Sequence, residues 1–345
     1  MSVIKPSYDT NRTNLRDVIP LRGPYTIQVE PTRLCNLRCF FCMHYSRGTD
    51  KDLLKESGLK LTHMDMDLYN KLVLDIMSFS EQPKMINFCG IGEPLMNPEF
   101  GEMIRRLRTA GYTGRIVTYT NGILLKPAVV DKLTSSGLSE IRISLNGLTA
   151  EKVRKTTGVE ISMDTYVDNI RYLYEHKRNT KIYIKIIENL LENDDDKEQF
   201  YRIFDGICDV MYIENIIQLQ RQMKDYGGIT EENYKNVFNE PMLRNWKTCA
   251  CMFYQIHIDA DGYVFFCVSL GNPSKYSIGN IKEESLVDIW NGENRSKALR
   301  INLRTGSDSL PMCFGCEGKY DIISDSEYLD DCSEMLLSRI QSGKD

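Results

Sequence analysis

The stretch YTIQVEPTRLCNLRCFFC, residues 25–42, decides the reading of this chain. Its opening, Tyr25–Glu30, is a run of β-formers ended by proline, the pattern of a short buried strand. The strand leads into a loop carrying Cys35, Cys39 and Cys42 in a C-x3-C-x2-C spacing. Three thiolates so close together can cap three irons of a cubane [4Fe–4S] cluster and leave the fourth iron without a protein ligand. An open iron can hold a small molecule and pass it an electron. Zinc is the simpler alternative, with His44 as a fourth ligand two residues past Cys42. Structural zinc, however, usually takes paired arms of the CxxC or CxxH kind.

Outward from this strand and loop, β-rich runs alternate with amphipathic helical stretches. Strands are expected at Tyr25–Glu30, Met85–Cys89, Arg115–Tyr119, Glu140–Leu145, Lys181–Ile187 and Asp209–Glu214. Helices are expected at Asp67–Ser78, Glu99–Ala110, Pro127–Ser135, Met163–His176 and Lys197–Gly206. Capping signals such as Asn97-Pro98 open several of them, and glycines such as Gly111 and Gly137 close them. Six strands alternating with helices predict an α/β fold, a parallel sheet covered by helices and wound with right-handed crossovers. In such folds the ligand site gathers at the carboxyl ends of the strands. The distinctive residues fall there: Cys35–Cys42 after the first strand, Gly90–Pro94 after the second, Thr120–Gly122 after the third, Ser144–Gly147 after the fourth.

Past about Ile217 the pattern changes. A polar helical stretch, Glu231 to Asn245, leads into two alternating runs, Tyr254–Ile258 and Tyr263–Cys267, joined by Asp259-Ala-Asp-Gly262, a strong hairpin signal. Cys249, Cys267, Cys313 and Cys316 surround this hairpin and supply full ligation for a second cluster; a four-thiolate zinc site fits the spacing too. Cys251 competes with Cys249 for the first position. Cys89, Cys208 and Cys332 read as small core or surface residues without a role. The polar tail holds one amphipathic segment, Cys332–Ile340.

Composition bounds the possibilities. The 345 residues are 42% hydrophobic and 26% charged, and no apolar run approaches the roughly 18 residues of a membrane span. A net charge of −5 argues against a nucleic-acid groove. Eleven cysteines and a polar N-terminus without an apolar secretory core point to a cytoplasmic protein that uses its thiols for metal. The acidic run Glu192–Glu198 reads as a solvated loop and helix start.

With these motifs in order, the chain resembles the radical S-adenosylmethionine (SAM) superfamily from about residue 24 to 320. CNLRCFFC matches that family's signature, in which the residue at Phe41 lies against the SAM adenine. Gly90-Ile-Gly92-Glu93-Pro94 is similar to the Gly-Gly-Glu motif that receives the SAM amino group, with Ile91 in place of one glycine. Thr120-Asn121-Gly122 resembles a Thr-Asn-Gly turn, and Ser144 with Asn146 the ribose contact. The C-terminal part resembles a Twitch domain, the shortened SPASM form: Cys249-x12-Gly262-x4-Cys267 fits its opening, and Ile278–Ile281, Ser285-Leu286 and Ile289-Trp290 are typical. Ile322 and Ser326 stand where further SPASM cysteines would fall, so one auxiliary cluster is expected.

The resemblance implies a partial (β/α)6 TIM-like barrel with a smaller β-hairpin and helix domain. The expected boundaries are an N-terminal extension over 1–23, the core over 24–230, the auxiliary domain over 231–320 and a tail over 321–345. It also implies two [4Fe–4S] clusters, SAM, and a reductase, flavodoxin or ferredoxin as electron donor. The implied chemistry is reductive cleavage of SAM to a 5′-deoxyadenosyl radical that takes hydrogen from a sugar, aminocyclitol or similar polar molecule. Loss of a proton and passage of one electron to the auxiliary cluster then give dehydrogenation, as in Twitch-bearing aminocyclitol dehydrogenases, and epimerisation is the other expected outcome. Maturation of a ribosomally made peptide is the second possibility, and a non-catalytic iron–sulfur or zinc protein the third. His44 is a candidate base by its place beside the loop; Glu188 and Arg154 also lie near the barrel mouth, and His257 reads as a half-exposed strand residue.

Overall fold

Strand residues sort onto two faces, and that sorting builds the core. In β5 (Glu140–Leu145) Ile141, Ile143 and Leu145 are buried against helices, as are Ile182, Ile184 and Ile186 of β6 (Lys181–Ile187). Each such side chain contributes about 1.5–3 kcal/mol by leaving water. The alternate residues Arg142, Ser144, Tyr183 and Lys185 point to the other face and pair in register across the two strands. The helices answer with a complementary stripe. Phe100–Thr109 buries Phe100, Met103, Ile104 and Leu107, an i, i+3, i+4, i+7 pattern, and Gly111 ends it at φ +95°.

The computed structural model describes residues 1–8, 12–216, 235–236, 245–321 and 325–342. The stretch expected to be helical over 231–245 lies almost wholly outside them, as does Ile322. Among the described residues, β2 (Thr26–Val29), β3 (Met85–Phe88), β4 (Arg115–Thr120), β5, β6 and β7 (Val210–Glu214) lie side by side in sequence order, every pair parallel. Helices Met66–Met77, Phe100–Thr109, Pro127–Thr134, Met163–His176 and Asp194–Phe204 fill the crossovers. The expected partial barrel is therefore present, its strand and most helix ends within one or two residues of those read from periodicity. The last of these helices starts earlier because Asn193 caps it, accepting from Asp196 N.

Both edges of the barrel are extended. β1 (Val3–Ile4) pairs parallel with β7. At the other edge β8 (Gln255–Ile258) pairs parallel with β2, in the register Gln28↔His257, and β9 (Tyr263–Phe265) and β10 (Gly279–Asn280) follow antiparallel. One sheet thus runs β1-β7-β6-β5-β4-β3-β2-β8-β9-β10. The hairpin signal is correct, with Gly262 at φ +89°, yet the hairpin is a continuation of the barrel sheet. Buried Trp290 fastens the C-terminal helices to the N-terminal segment, its Nε1 donating to Leu21 O at 3.2 Å under the guanidinium of Arg295.

Candidate functional site

At the carboxyl rim the four marked loops touch one another. The loop after β2 is braced from outside by Arg47, which donates to Cys35 O at 2.9 Å, and from below by Arg38 N and Phe40 N, which donate to Thr157 O and Thr156 O. Those acceptors end helix Ala150–Thr157, which periodicity does not disclose because Val153 is its one buried large apolar residue. Asn36 Oδ1 accepts from Asn121 Nδ2 at 2.8 Å, joining the cysteine loop to the turn after β4. Cys39 Sγ donates to Asn146 Oδ1 at 3.5 Å, joining it to the turn after β5, where Asn146 Nδ2 donates to Ser144 O at 3.4 Å.

The loop after β3 approaches more closely still. Gly92 passes the cysteine loop so tightly that a Cβ would lie 2.2 Å from Thr32 O and 2.8 Å from Leu34 O. Glu93 N donates to Leu34 O at 2.8 Å. The Glu93 carboxylate, 3% exposed, accepts from Thr120 Oγ1 at 2.7 Å, Asn121 N at 2.8 Å and Leu95 N at 3.1 Å. Burial pushes its pKa up to about 7 despite these donors. Ile91, where the motif would have glycine, packs with Met43, Leu54 and Leu270, so its side chain fills space behind the loop. Phe41 is half-buried with its ring edge-on to Phe40 at 5.1 Å.

The candidate base His44, and Glu188, Arg154 and His257 beside it in the sequence reading, are either buried or turned to solvent. His44 is fully enclosed, its Nδ1 against Arg47 at 3.2 Å, and burial holds its pKa down to about 4. Glu188 is exposed and paired with Lys197, and Arg154 is exposed on its helix. His257 is not half-exposed but 1% exposed, because β8 inserts beside β2 instead of standing as a free hairpin.

The second set of cysteines lines one cavity. Cys249, Cys251, Cys267, Cys313 and Cys316 surround about 470 Å³ of atom-free space, part of it open to solvent. Asn302, wholly buried, pins Cys249 by both main-chain groups: its Oδ1 accepts from Cys249 N and its Nδ2 donates to Cys249 O, both at 2.9 Å. Cys251 instead begins a helical turn and places its sulfur 3.7 Å from Tyr254 Oη.

The sequence profile of the radical SAM superfamily matches residues 29–204, and that of the SPASM iron–sulfur cluster-binding domain matches residues 249–317. The chain belongs to the radical SAM superfamily. Similar proteins include the tungsten-containing aldehyde ferredoxin oxidoreductase cofactor-modifying protein of Pyrococcus furiosus, 27% identical over 333 residues covering 84% of this chain and 86% of that protein. GTP 3′,8-cyclase of Helicobacter pylori is 25% identical over 327 residues, covering 81% and 96%. The solved structure of Streptococcus suis SuiB bound to precursor peptide SuiA matches with a TM-score of 0.64 at 14% identity, covering 92% of this chain and 77% of that one, a likeness of fold.

As a radical SAM enzyme with a SPASM domain, the protein uses SAM and [4Fe–4S] clusters. Its thiols fit such groups. Burial pushes Cys35 up to about 12 and Cys39 and Cys267 well above the ordinary thiol range, and neighbouring thiols push the same way. Iron would replace those protons and relieve the crowding. Among the described residues no three His, Cys, Asp or Glu side chains stand close enough to share one ion. A cubane spreads its thiolates over separate irons, whereas a zinc ion draws its ligands to one centre. Among them, too, no helix is long and apolar enough to cross a membrane.

One cluster of charges in this radical SAM enzyme escapes sequence reading. Arg33, 1% exposed, donates from Nε to Glu30 Oε2 at 3.0 Å and from Nη2 to Asp259 Oδ2 at 2.7 Å, and its Nη1 meets Asp261. Glu30 Oε1 in turn accepts from Ile91 N at 2.9 Å. The cysteine loop, the glycine loop and the C-terminal hairpin turn are thereby tied to one guanidinium. A single cation underneath two buried carboxylates leaves both short of compensation: burial raises the Glu30 pKa and lifts Asp259 to about 7. Below about pH 4 Asp259 is protonated both folded and unfolded; between there and about 7 only the unfolded chain releases the proton, so stability falls as pH rises. Asp259→Asn is expected to flatten that slope in urea-unfolding midpoints measured on the metal-free protein from pH 4 to 8. An unchanged slope would refute the assignment.

Proposed function

We propose that this radical SAM enzyme acts on a polar small molecule, a sugar, aminocyclitol or related compound, by dehydrogenation or epimerisation. When bound, the open-cornered cluster would supply the electron that splits SAM and so begin hydrogen abstraction from substrate. We assign that cluster to Cys35, Cys39 and Cys42, and the SAM contacts to Phe41, Gly90, Gly92, Glu93, Asn121, Ser144 and Asn146. The auxiliary cluster is assigned to Cys249, Cys267, Cys313 and Cys316, with Cys249 favoured over Cys251 because Asn302 holds its main chain. His44, enclosed beside Arg47, braces the loop in this reading and is not the base.

The observation that carries the substrate class is the polarity of the sheet face turned away from the helices. There Arg142 donates to Tyr119 Oη at 2.6 Å and to Glu140, and Lys185 donates to Glu214 at 2.6 Å. A face so rich in fixed donors and acceptors suits a polyhydroxylated or charged ligand better than an apolar one. The names of the two curated relatives, one cofactor-modifying and one a GTP cyclase, support a small polar substrate as well. The second reading, maturation of a peptide, is favoured by the fold shared with SuiB in its precursor-peptide complex.

Reconstituted protein given SAM and dithionite without air is expected to release 5′-deoxyadenosine; no release from iron-loaded protein overturns the core of the proposal. Cys39→Ala is expected to abolish release, and Cys313→Ala to spare part of it. Equal, complete loss in both folded variants would contradict the division of labour. Among aminocyclitols, sugar nucleotides and short peptides, faster release with the first two supports oxidation of a small molecule, whereas a response to peptides alone favours maturation.

A further inference from the structure

Two polar side chains in the wall of the auxiliary cavity have no part in holding metal. Lys319 lines it beside Cys313 and Cys316, and its residue is 3% exposed. Its ammonium reaches Asp308 at 2.6 Å, and the Asp308 side chain is 54% exposed. Burial works against the Lys319 charge, but the hydrogen bond and field of Asp308 outweigh it, leaving the pKa above that of an ordinary lysine. Ser307, 1% exposed, lines the same cavity, and its Oγ has no hydrogen-bond partner. Its main chain is fixed by donation from Ser307 N to Lys247 O at 2.9 Å. Glu317, which follows Cys316, is not part of the lining.

The pair is asymmetric. The cation sits on the dry side, where its field acts through a weakly screening medium, and the anion sits toward water, which screens it. The charge carried by the cavity lining is therefore that of the cation. A buried hydroxyl with no protein acceptor is costly unless the occupant accepts from it, and the sulfur atoms of a cluster are such acceptors. Positive charge and hydrogen bonds to sulfur both stabilise the reduced, more negative state of a cluster.

We propose that Lys319 and Ser307 are tuning residues that raise the reduction potential of the auxiliary cluster, so that it takes electrons readily. This deepens the function proposed above and rests on its assignment of the cavity thiols to a cluster. Neither residue is a ligand, and the role needs no bond between them and iron.

The test uses the full chain with Cys35, Cys39 and Cys42 changed to alanine, so that the auxiliary cluster alone gives a signal. This parent is expected to hold about four irons per chain. In a potentiometric titration followed by electron paramagnetic resonance, Lys319→Met and Ser307→Ala are expected to shift the midpoint to more negative values. Lys319→Arg is expected to stay near the parent, and Asp308→Asn to shift the other way. A parent without iron removes the cluster assignment and the tuning role together. Iron retained with no shift, or with Lys319→Met shifted upward, overturns the tuning role alone. Should Lys319→Met lose its iron, Asp308→Asn decides: a midpoint that does not rise refutes the proposal.

Discussion

Arg33→Met is expected to destabilise the protein by about 3–5 kcal/mol and to prevent assembly of the cluster we assign to the Cys35–Cys42 loop. The methionine roughly keeps the volume and removes the charge. What remains is Glu30 and Asp259, both nearly inaccessible to water, facing each other across the space the guanidinium occupied. Without the guanidinium both carboxyls are pushed further toward the protonated form, so the ion pairs and the hydrogen bonds that Arg33 makes are lost together. Because Arg33 lies two residues before Cys35, the damage falls first on the cysteine loop and next on the glycine loop that hangs from Glu30 through Ile91 N. Lysine at this position keeps the charge but lacks the fork that serves three carboxylates, so Arg33→Lys should fall between wild type and methionine. Asp261, whose side chain is 42% exposed, supplies the control: Asp261→Asn should cost less than about 1 kcal/mol. Urea-unfolding midpoints, with iron content and the resonance signal of each cluster, read these effects. If Arg33→Met assembles both clusters at wild-type stability, the tie between loops and hairpin carries no weight.

Gly92→Ala is expected to abolish SAM cleavage while leaving most of the fold intact. The added methyl meets main-chain oxygens of Thr32 and Leu34 at 2.2 and 2.8 Å, and neither can swing aside as a flexible side chain would. The two loops must separate, breaking the hydrogen bond from Glu93 N to Leu34 O and with it the placement of the Glu93 carboxylate under Thr120 and Asn121. Overpacking of this sort commonly costs about 1–3 kcal/mol, which a protein of this size tolerates, but a displacement near 1 Å at a reacting centre costs about a hundredfold in rate. Gly158 makes the matched comparison. It has open space around its missing side chain, so Gly158→Ala carries only the strain of its φ of +73° and should retain cleavage. Equal activities in Gly92→Ala and wild type would show that the loops are not held as closely as described.

The barrel was legible because its strands and helices follow local rules. EIRISL and KIYIKII alternate, FGEMIRRL repeats every three to four residues, and glycines at 111 and 137 end helices where left-handed backbone is required. The four motif loops could be placed at one rim because parallel connectivity leaves them no other end. Helix Ala150–Thr157 was not legible, since a short polar segment with a single large apolar anchor has no periodicity to show. Nor was the pairing of β8 with β2, which joins residues 229 positions apart and depends on the whole fold being assembled. A similar separation hides the contact of Arg33 with Asp259: each looks like an ordinary charge near a turn, and only the tertiary structure reveals that neither meets water. His257 belongs to this class, its burial being a consequence of where its strand lodges.

The seam between β2 and β8 sets how the molecule can be divided. Cutting the polypeptide ahead of residue 245 and discarding the C-terminal portion would strip the barrel of the neighbour of its first strand. The freed row of amide and carbonyl groups along Thr26–Val29 would then be an adhesive border, ready to recruit another copy. A truncated barrel should accordingly aggregate, and adding the missing portion as a separate polypeptide should restore solubility by capping that border.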